Sequence, residues 1–206
     1  MIVRLDPKDS KHRRAAATLH GKLLPESPIA GLGRVFMENF YYDLLVRDGL
    51  ISCDLYEREG RFTAFAAYTK RPFTFMEEGR KKHFAYLSAL LLGSVAVRPT
   101  RLGIILETLR LGARRSQLAE KGTAELLSFG VEPETAAARD PVSGKKVPSL
   151  MFERVLTFFR DEGFSKIRFI VRKDNHASLL FFNSYKAVLE SEMSEGTGVY
   201  LMSVSL

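Results

Sequence analysis

The stretch from Ala124 to Ala187 constrains this chain most, because it passes twice from strand to helix periodicity. AELLSFGVEP reads as a strand closed by Val131-x-Pro133, and a loop carrying Gly144-Lys145-Lys146 follows. SLMFERVLTFFRDEG then places Leu150, Val155, Leu156, Phe158 and Phe159 on one helical face, with Gly163 as the stop. In KIRFIVRKDN, Ile167, Phe169 and Val171 alternate with Arg168, Ile170 and Arg172, the period of a strand. Asp174 or Asn175 is a fitting N-cap for the next helix, HASLLFFNSYKAV. A late β-α-β unit of this kind belongs to a mixed α/β domain.

The preceding residues supply the rest of such a domain. IVRLDP is a short strand closed by Pro7, and Ser10 to Lys22 has helical character. Two prolines break LLPESP. Leu32, Val35, Phe36, Phe40 and Leu44 then predict one amphipathic helix from Ala30 to Leu45, ended by Asp48-Gly49. LISCDLYER and FTAFAAYTK form a hairpin joined at Glu59-Gly60-Arg61. From Phe73 to Gly122 the periodicity is mainly helical, and Arg98-Pro99 divides it into two helices. GVYLMSVSL is a closing strand.

A chain of 206 residues with 46% hydrophobic content suits one well-buried domain. The single Cys53 cannot form an internal disulfide, and the four scattered histidines show no metal-ligand spacing. MIVRLDPKDSKHRR lacks the apolar core of a signal peptide, and the apolar stretch from Phe84 to Val97 is too short to span a bilayer. A soluble, cytoplasmic protein is expected. The net charge of +7 favours acidic partners. Nucleic acid is disfavoured among them, since basic residues occur in small groups such as Arg114-Arg115 and never five in a row.

A helix start leaves N–H groups unpaired and attracts phosphate, and the loop from Ser143 to Pro148 precedes such a start. Gly144 permits close backbone approach and two lysines add charge, though an ordinary strand-to-helix loop carries the same residues. Together with Val131-Glu132-Pro133, and with Asn175 ahead of an aromatic helix, this order resembles the cofactor-binding half of the GNAT acyltransferase superfamily. There are departures. Lys146 and Pro148 stand where the family's loop glycines fall, and TAAARDPV lengthens the loop. Phe182 replaces a frequent tyrosine seven residues after the Asn, and Lys186-Ala187 replaces a Gly-Phe pair.

The resemblance implies a single GNAT-type α/β domain over residues 1–206, with a mixed, centrally splayed sheet flanked by helices. Its cofactor-binding core would be 124–187, and 73–122 a helical insert between the third and fourth strands. It also implies acetyl-CoA or another acyl-CoA as donor, no metal, and direct attack by a primary amine of a small molecule in a ternary complex. Phe129, Val131, Gly144, Lys145, Lys146, Val147, Ser149 and Asn175 are then the expected cofactor contacts, with Phe182 packing beside the arm. Tyr185, one helical turn from Phe182, is a candidate proton donor to the thiolate.

Amine acylation needs a neutral nitrogen, so a carboxylate near the carbonyl must take a proton. Glu125, six residues before Val131, resembles the Ala-Glu strand start that serves some family members as base; a solvated strand-edge glutamate is the other reading. Glu132 is the second candidate. LHGKLLPESPIAGLGRVFMENFYYDLL resembles a bacterial subset linked to small-molecule or surface-sugar amines. This makes His20, Glu38, Tyr41 and Tyr42 candidate acceptor contacts, or alternatively helix-packing residues.

Arg98, Arg101, Arg110, Arg114 and Arg115 interleave with Ile104, Ile105, Leu106, Leu109 and Leu111. That pattern suits an acyl-carrier protein, an anionic membrane surface, or a packing helix with a solvated face. A carrier-dependent N-acyltransferase making an N-acyl amino acid or lipid, and a non-catalytic coenzyme A-binding module, are the alternative functions. Neither the acceptor nor the oligomeric state is legible.

Overall fold

Local signals set the boundaries of the elements. After β1 (Ile2–Arg4), the carboxylate of Asp9 accepts the Lys11 N–H at 2.7 Å and starts α1 (Ser10–Leu23). The single helix expected over Ala30 to Leu45 is divided in two. Pro28 opens the short α2 (Pro28–Gly31), and Gly33 at φ 96° then redirects the chain. α3 follows as one continuous run of Arg34–Phe36, Met37–Leu44 and Leu45–Arg47, with π-type hydrogen bonding in its middle portion. Glu59 and Gly60, at φ 54° and 73°, turn β2 (Ser52–Arg58) into β3 (Arg61–Thr69), the tight hairpin the sequence predicts.

The computed structural model describes residues 1–72, 74–97, 122–192 and 198–206. Of the insert, α4 (Phe75–Lys82) and α5 (Phe84–Val97) are described, with their joint at His83. The joint expected near Pro99 and the basic stretch from Arg98 to Arg115 lie outside the described residues. β4 (Thr123–Val131) leads through the short α6 (Pro133–Ala136) to α7 (Val147–Asp161), β5 (Lys166–Arg172) and α8 (His176–Asn183). Two strands close the chain, β6 (Val188–Glu192) and β7 (Val199–Ser205). β6 was not expected. Its VLESE is an edge strand exposed on both faces, so it shows no alternation of apolar and polar residues.

The seven strands form one mixed sheet in the order β1-β2-β3-β4-β5-β7-β6, flanked by helices. Every neighbouring pair is antiparallel except β4 with β5, which α7 joins as a crossover. On one face Phe40, Tyr41, Tyr42 and Leu45 of α3 pack with Ala16 and Leu19 of α1 over Cys53, Leu55, Phe65 and Ala67. On the other, Met151, Phe152, Val155 and Phe159 of α7 cover Ala64, Ala66, Tyr68, Leu126, Ile167 and Phe169. β3 is buried on both faces, which is why FTAFAAYTK reads as a nearly continuous apolar run.

Candidate active site

The parallel pair at the centre of the sheet is short. β4 and β5 are in register only from Thr123↔Lys166 to Leu126↔Phe169. Beyond that point β4 stays with β3 as far as Val131, while β5 stays with β7 as far as Arg172. The two strands therefore part, and the parting begins at a bulge: Tyr68 faces Leu126 while Ala67 faces Ser128, so Leu127 is the extra residue. The Glu132 N–H bonds the Thr63 carbonyl at 2.9 Å, which fixes the alternation of the antiparallel ladder. Ser128 and Gly130 thus address β3, whereas the N–H and C=O groups of Phe129 and Val131 line the opened edge. Backbone groups on such an edge need a partner from outside the sheet.

Glu125 stands at the root of the opening, 6% exposed, in register with Thr69 on one side and Arg168 on the other. Arg168 donates to Glu190 at 2.5 Å and Lys166 does so at 3.1 Å. Burial works to raise the Glu190 carboxyl, but hydrogen bonds from Ser203, Lys166 and Arg168 outweigh it and hold it below the usual carboxylate range. Glu132, 7% exposed, takes Lys22 at 2.7 Å and Arg61 at 3.1 Å, so it ties the end of α1 to the end of β4.

On the α7 side the opening is aromatic. Phe129 stacks on Phe181 with centroids 5.8 Å apart and planes at 10°. Phe182, also buried, stacks on Phe169 at 4.1 Å, and Phe152 meets Phe129, Phe169, Phe181, Phe182 and Tyr185 edge-on. Phe129, Val131 and Phe182 are thus brought into one cluster. Asn175 is the N-cap of α8, its side-chain oxygen accepting the Ser178 N–H at 3.0 Å. The Tyr185 hydroxyl reaches Glu153 of α7 at 3.4 Å.

The loop before α7 is organised by a residue the sequence reading passed over. Asp140, 4% exposed, accepts the Ser143 N–H at 2.8 Å, the Val142 N–H at 3.2 Å and the Tyr56 hydroxyl at 2.9 Å. The Ser143 bond is the main reason its carboxyl lies below the usual range, against the opposing effect of burial. Gly144 turns at φ 68°, its N–H on the Asp140 carbonyl and its own carbonyl on the Arg139 guanidinium. The helix starts at Val147, so Val147, Pro148 and Ser149 form its first turn rather than a preceding loop.

The Val147 N–H is engaged by the Ala138 carbonyl at 3.2 Å, and Pro148 has none. Lys145 is paired with Glu153 at 2.5 Å, while Lys146, the N-cap residue, is exposed. The geometry therefore brings Gly144, Lys145 and Lys146 of the loop together with Val147 and Ser149 of the helix's first turn, with part of their donor capacity already committed inside the protein.

On the opposite face, His20, Tyr41 and Tyr42 come together in the core, none more than 1% exposed. The His20 ring stacks on Phe65 at 5.4 Å and lies 2.8 Å from the Tyr42 hydroxyl and 3.1 Å from Ser27 Oγ. Burial pushes the His20 imidazole down to about 4, so it is neutral at physiological pH. Glu38 stands apart from this group, paired with Arg34 at 2.5 Å. From the last turn of α1 to the start of α2 the chain crosses the mouth of the opening: Lys22 is anchored on Glu132 after β4, and Glu26 on Arg172 at the end of β5. Gly130 permits this crossing, since a Cβ there would lie 2.8 Å from Phe65 and 3.0 Å from Leu23.

Among the described residues no group of three or more His, Cys, Asp or Glu is arranged to hold a metal. No described helix is long and apolar enough to cross a membrane.

No protein-family model matches the chain, and no curated protein matches it. Solved structures do. PaiA N-acetyltransferase from Thermoplasma acidophilum, in complex with coenzyme A, aligns over 100% of this chain and 99% of its own with a TM-score of 0.53 and 12% identity. An acetyltransferase of the GNAT family from Streptococcus pneumoniae aligns over 100% and 98%, with a TM-score of 0.56 and 14% identity. Aminoglycoside 6'-acetyltransferase type Ii aligns over 100% and 96%, with a TM-score of 0.58 and 8% identity. At such identities the likeness establishes the fold, and the fold is that of the GNAT acetyltransferases.

Proposed function

We propose that this chain transfers an acyl group from an acyl-CoA thioester, acetyl-CoA in the simplest case, to a primary amine. The observation that carries this reading is the parted β4–β5 pair, with the backbone of Phe129 and Val131 on its open edge and Glu125 buried at its root. An extended pantetheine arm offers amide groups that can pair with such an edge as a further strand does. Phe129 and Phe182 supply apolar surface for the thioester end, Asn175 is assigned to the pantetheine arm, and Gly144 to Lys146 with the first turn of α7 are assigned to the phosphates. The fold's likeness to acetyltransferases, among them one solved in complex with coenzyme A, supports the donor; it does not select the acceptor.

The acceptor nitrogen attacks the thioester carbonyl, the carbon–sulfur bond breaks, and coenzyme A leaves as thiolate. Glu125 takes the ammonium proton, directly or through water, which frees the nitrogen lone pair for attack. An N–H on the β4 edge facing the carbonyl oxygen offsets its developing negative charge, an effect worth about 3 kcal/mol in comparable sites. His20, Tyr41 and Tyr42 support the acceptor wall from inside the core, and Glu38 is assigned to the outer part of that wall.

One observation favours a second donor. The engaged Val147 N–H, the missing donor at Pro148 and the Lys145–Glu153 pair reduce what the loop offers to the several phosphates of coenzyme A. A carrier protein presents the same arm on a single phosphate.

Amine-dependent release of thiol from acetyl-CoA tests the reading, with a panel of primary amines as acceptors. Turnover by the parent and a drop in kcat of about a hundredfold to ten-thousandfold in Glu125→Gln, at unchanged acetyl-CoA affinity, are expected. A Glu125→Gln enzyme as fast as the parent removes the carboxylate from the mechanism.

A further inference from the structure

The group formed by Tyr42, His20 and Ser27 has a direction that its hydrogen-bond inventory reveals. Tyr42 is fully buried, and its hydroxyl has one partner among the described residues, His20 Nδ1 at 2.8 Å. A buried phenol O–H must donate, so Nδ1 is the acceptor. A neutral imidazole that accepts at one nitrogen carries its proton on the other. Nε2–H therefore donates to Ser27 Oγ, 3.1 Å away. The serine oxygen is used as an acceptor, and its own proton is taken by no described residue.

Ser27 is half-buried and directly follows Glu26, which anchors the crossing segment on Arg172 at the mouth of the β4–β5 opening. The charges there are compensated. Glu132 has Lys22 and Arg61, and Arg172 has Glu26 and Asp174. These paired charges give a polycation no special advantage, which leaves neutral, directional contacts as a means of discrimination among the described residues.

We propose that the Ser27 hydroxyl is a fixed hydrogen-bond donor to the acceptor substrate, selecting amines with a hydroxyl, ether or carbonyl oxygen near the reacting nitrogen over plain alkylamines of equal size. The inference rests on the transferase reading above and names its acceptor class. His20 and Tyr42 are positioning residues in it. They orient the serine oxygen without touching substrate, and the neutral imidazole is too weak a base to take the amine proton.

Ethanolamine and propylamine are a matched pair of probes, since they have the same number of heavy atoms and only one carries oxygen. The parent should prefer ethanolamine in kcat/KM by about five- to tenfold, the worth of one neutral hydrogen bond. Ser27→Ala should bring the ratio close to one by raising the KM for ethanolamine, with the KM for acetyl-CoA unchanged. Tyr42→Phe keeps the ring and frees Nδ1, and should lower the preference partway. Nitrogen NMR of the free protein should show His20 protonated at Nε2.

A ring protonated at Nδ1 overturns the inference whether or not the chain turns over, because Ser27 would then give its proton to His20. A preference unaltered in Ser27→Ala, or absent in a parent that binds acetyl-CoA, also overturns it. Failure of the transferase reading is distinguishable, as absent acetyl-CoA binding with the Nε2–H tautomer intact.

Discussion

Around the central opening, the two faces of the sheet are built from different materials. On the α7 and α8 side the groups that meet are rings: Phe129, Phe152, Phe169, Phe181 and Phe182, with Tyr185 at the margin. On the α1 side they are directional polar groups, the Tyr42–His20–Ser27 chain and the ion pairs of Glu132 and Glu190. Aromatic surface rewards any slender apolar arm by area and is tolerant of detail. A buried hydrogen-bond chain is intolerant, since each unmade bond costs about 1–3 kcal/mol. On the proposed reading, the contrast separates the two jobs of an acyl transferase, holding a common donor and choosing among many acceptors.

That contrast can be broken on either side. The largest effect belongs to the aromatic side. Phe152 is fully buried among the other rings, and Phe152→Ala should destabilise the fold by about 3–5 kcal/mol in urea denaturation. A loss under 1 kcal/mol would mean that the rings are not closely packed. On the polar side, His20 gives the fold a pH dependence.

Its folded-state pKa, about 4, lies below the unfolded value of 6.5. The stability associated with a neutral His20 is then complete above pH 6.5 and declines as the pH falls from 6.5 towards 4, by about 3 kcal/mol in all. Subtracting the unfolding curve of His20→Gln from that of the parent isolates this contribution, and identical pH slopes would contradict it. The smallest effect is assigned to Lys145. Because Glu153 already holds it, Lys145→Ala should weaken acetyl-CoA by less than about threefold. A loss of tenfold or more would show that the lysine leaves Glu153 for the phosphates.

What the sequence reveals, and what it hides, follows from the distance over which each signal acts. The β2–β3 hairpin is legible because Glu59-Gly60 is a local turn signal, and the α7–β5–α8 succession because its periodicities are local. Asn175 as N-cap belongs to the same class. β6 escapes because an exposed edge strand has no buried face to pattern it. The division of the Ala30 to Leu45 helix at Gly33 was open to view, since a Leu-Gly pair inside a helical period is a break signal, outvoted here by the apolar spacing around it.

The site is less legible than the fold. Glu125 and Val131 fall on a strand whose opening depends on how far β5 stays paired, which no local pattern encodes. Asp140 finds Tyr56 across 84 positions, and Ser27 gains its proposed role from Tyr42, with His20 between them.

The most direct test of donor binding is a calorimetric titration of the purified protein with acetyl-CoA. Saturable binding of one equivalent at micromolar concentration is the predicted result. No heat from a protein that circular dichroism shows to be folded would contradict it, and would leave the β4–β5 opening without the ligand assigned to it.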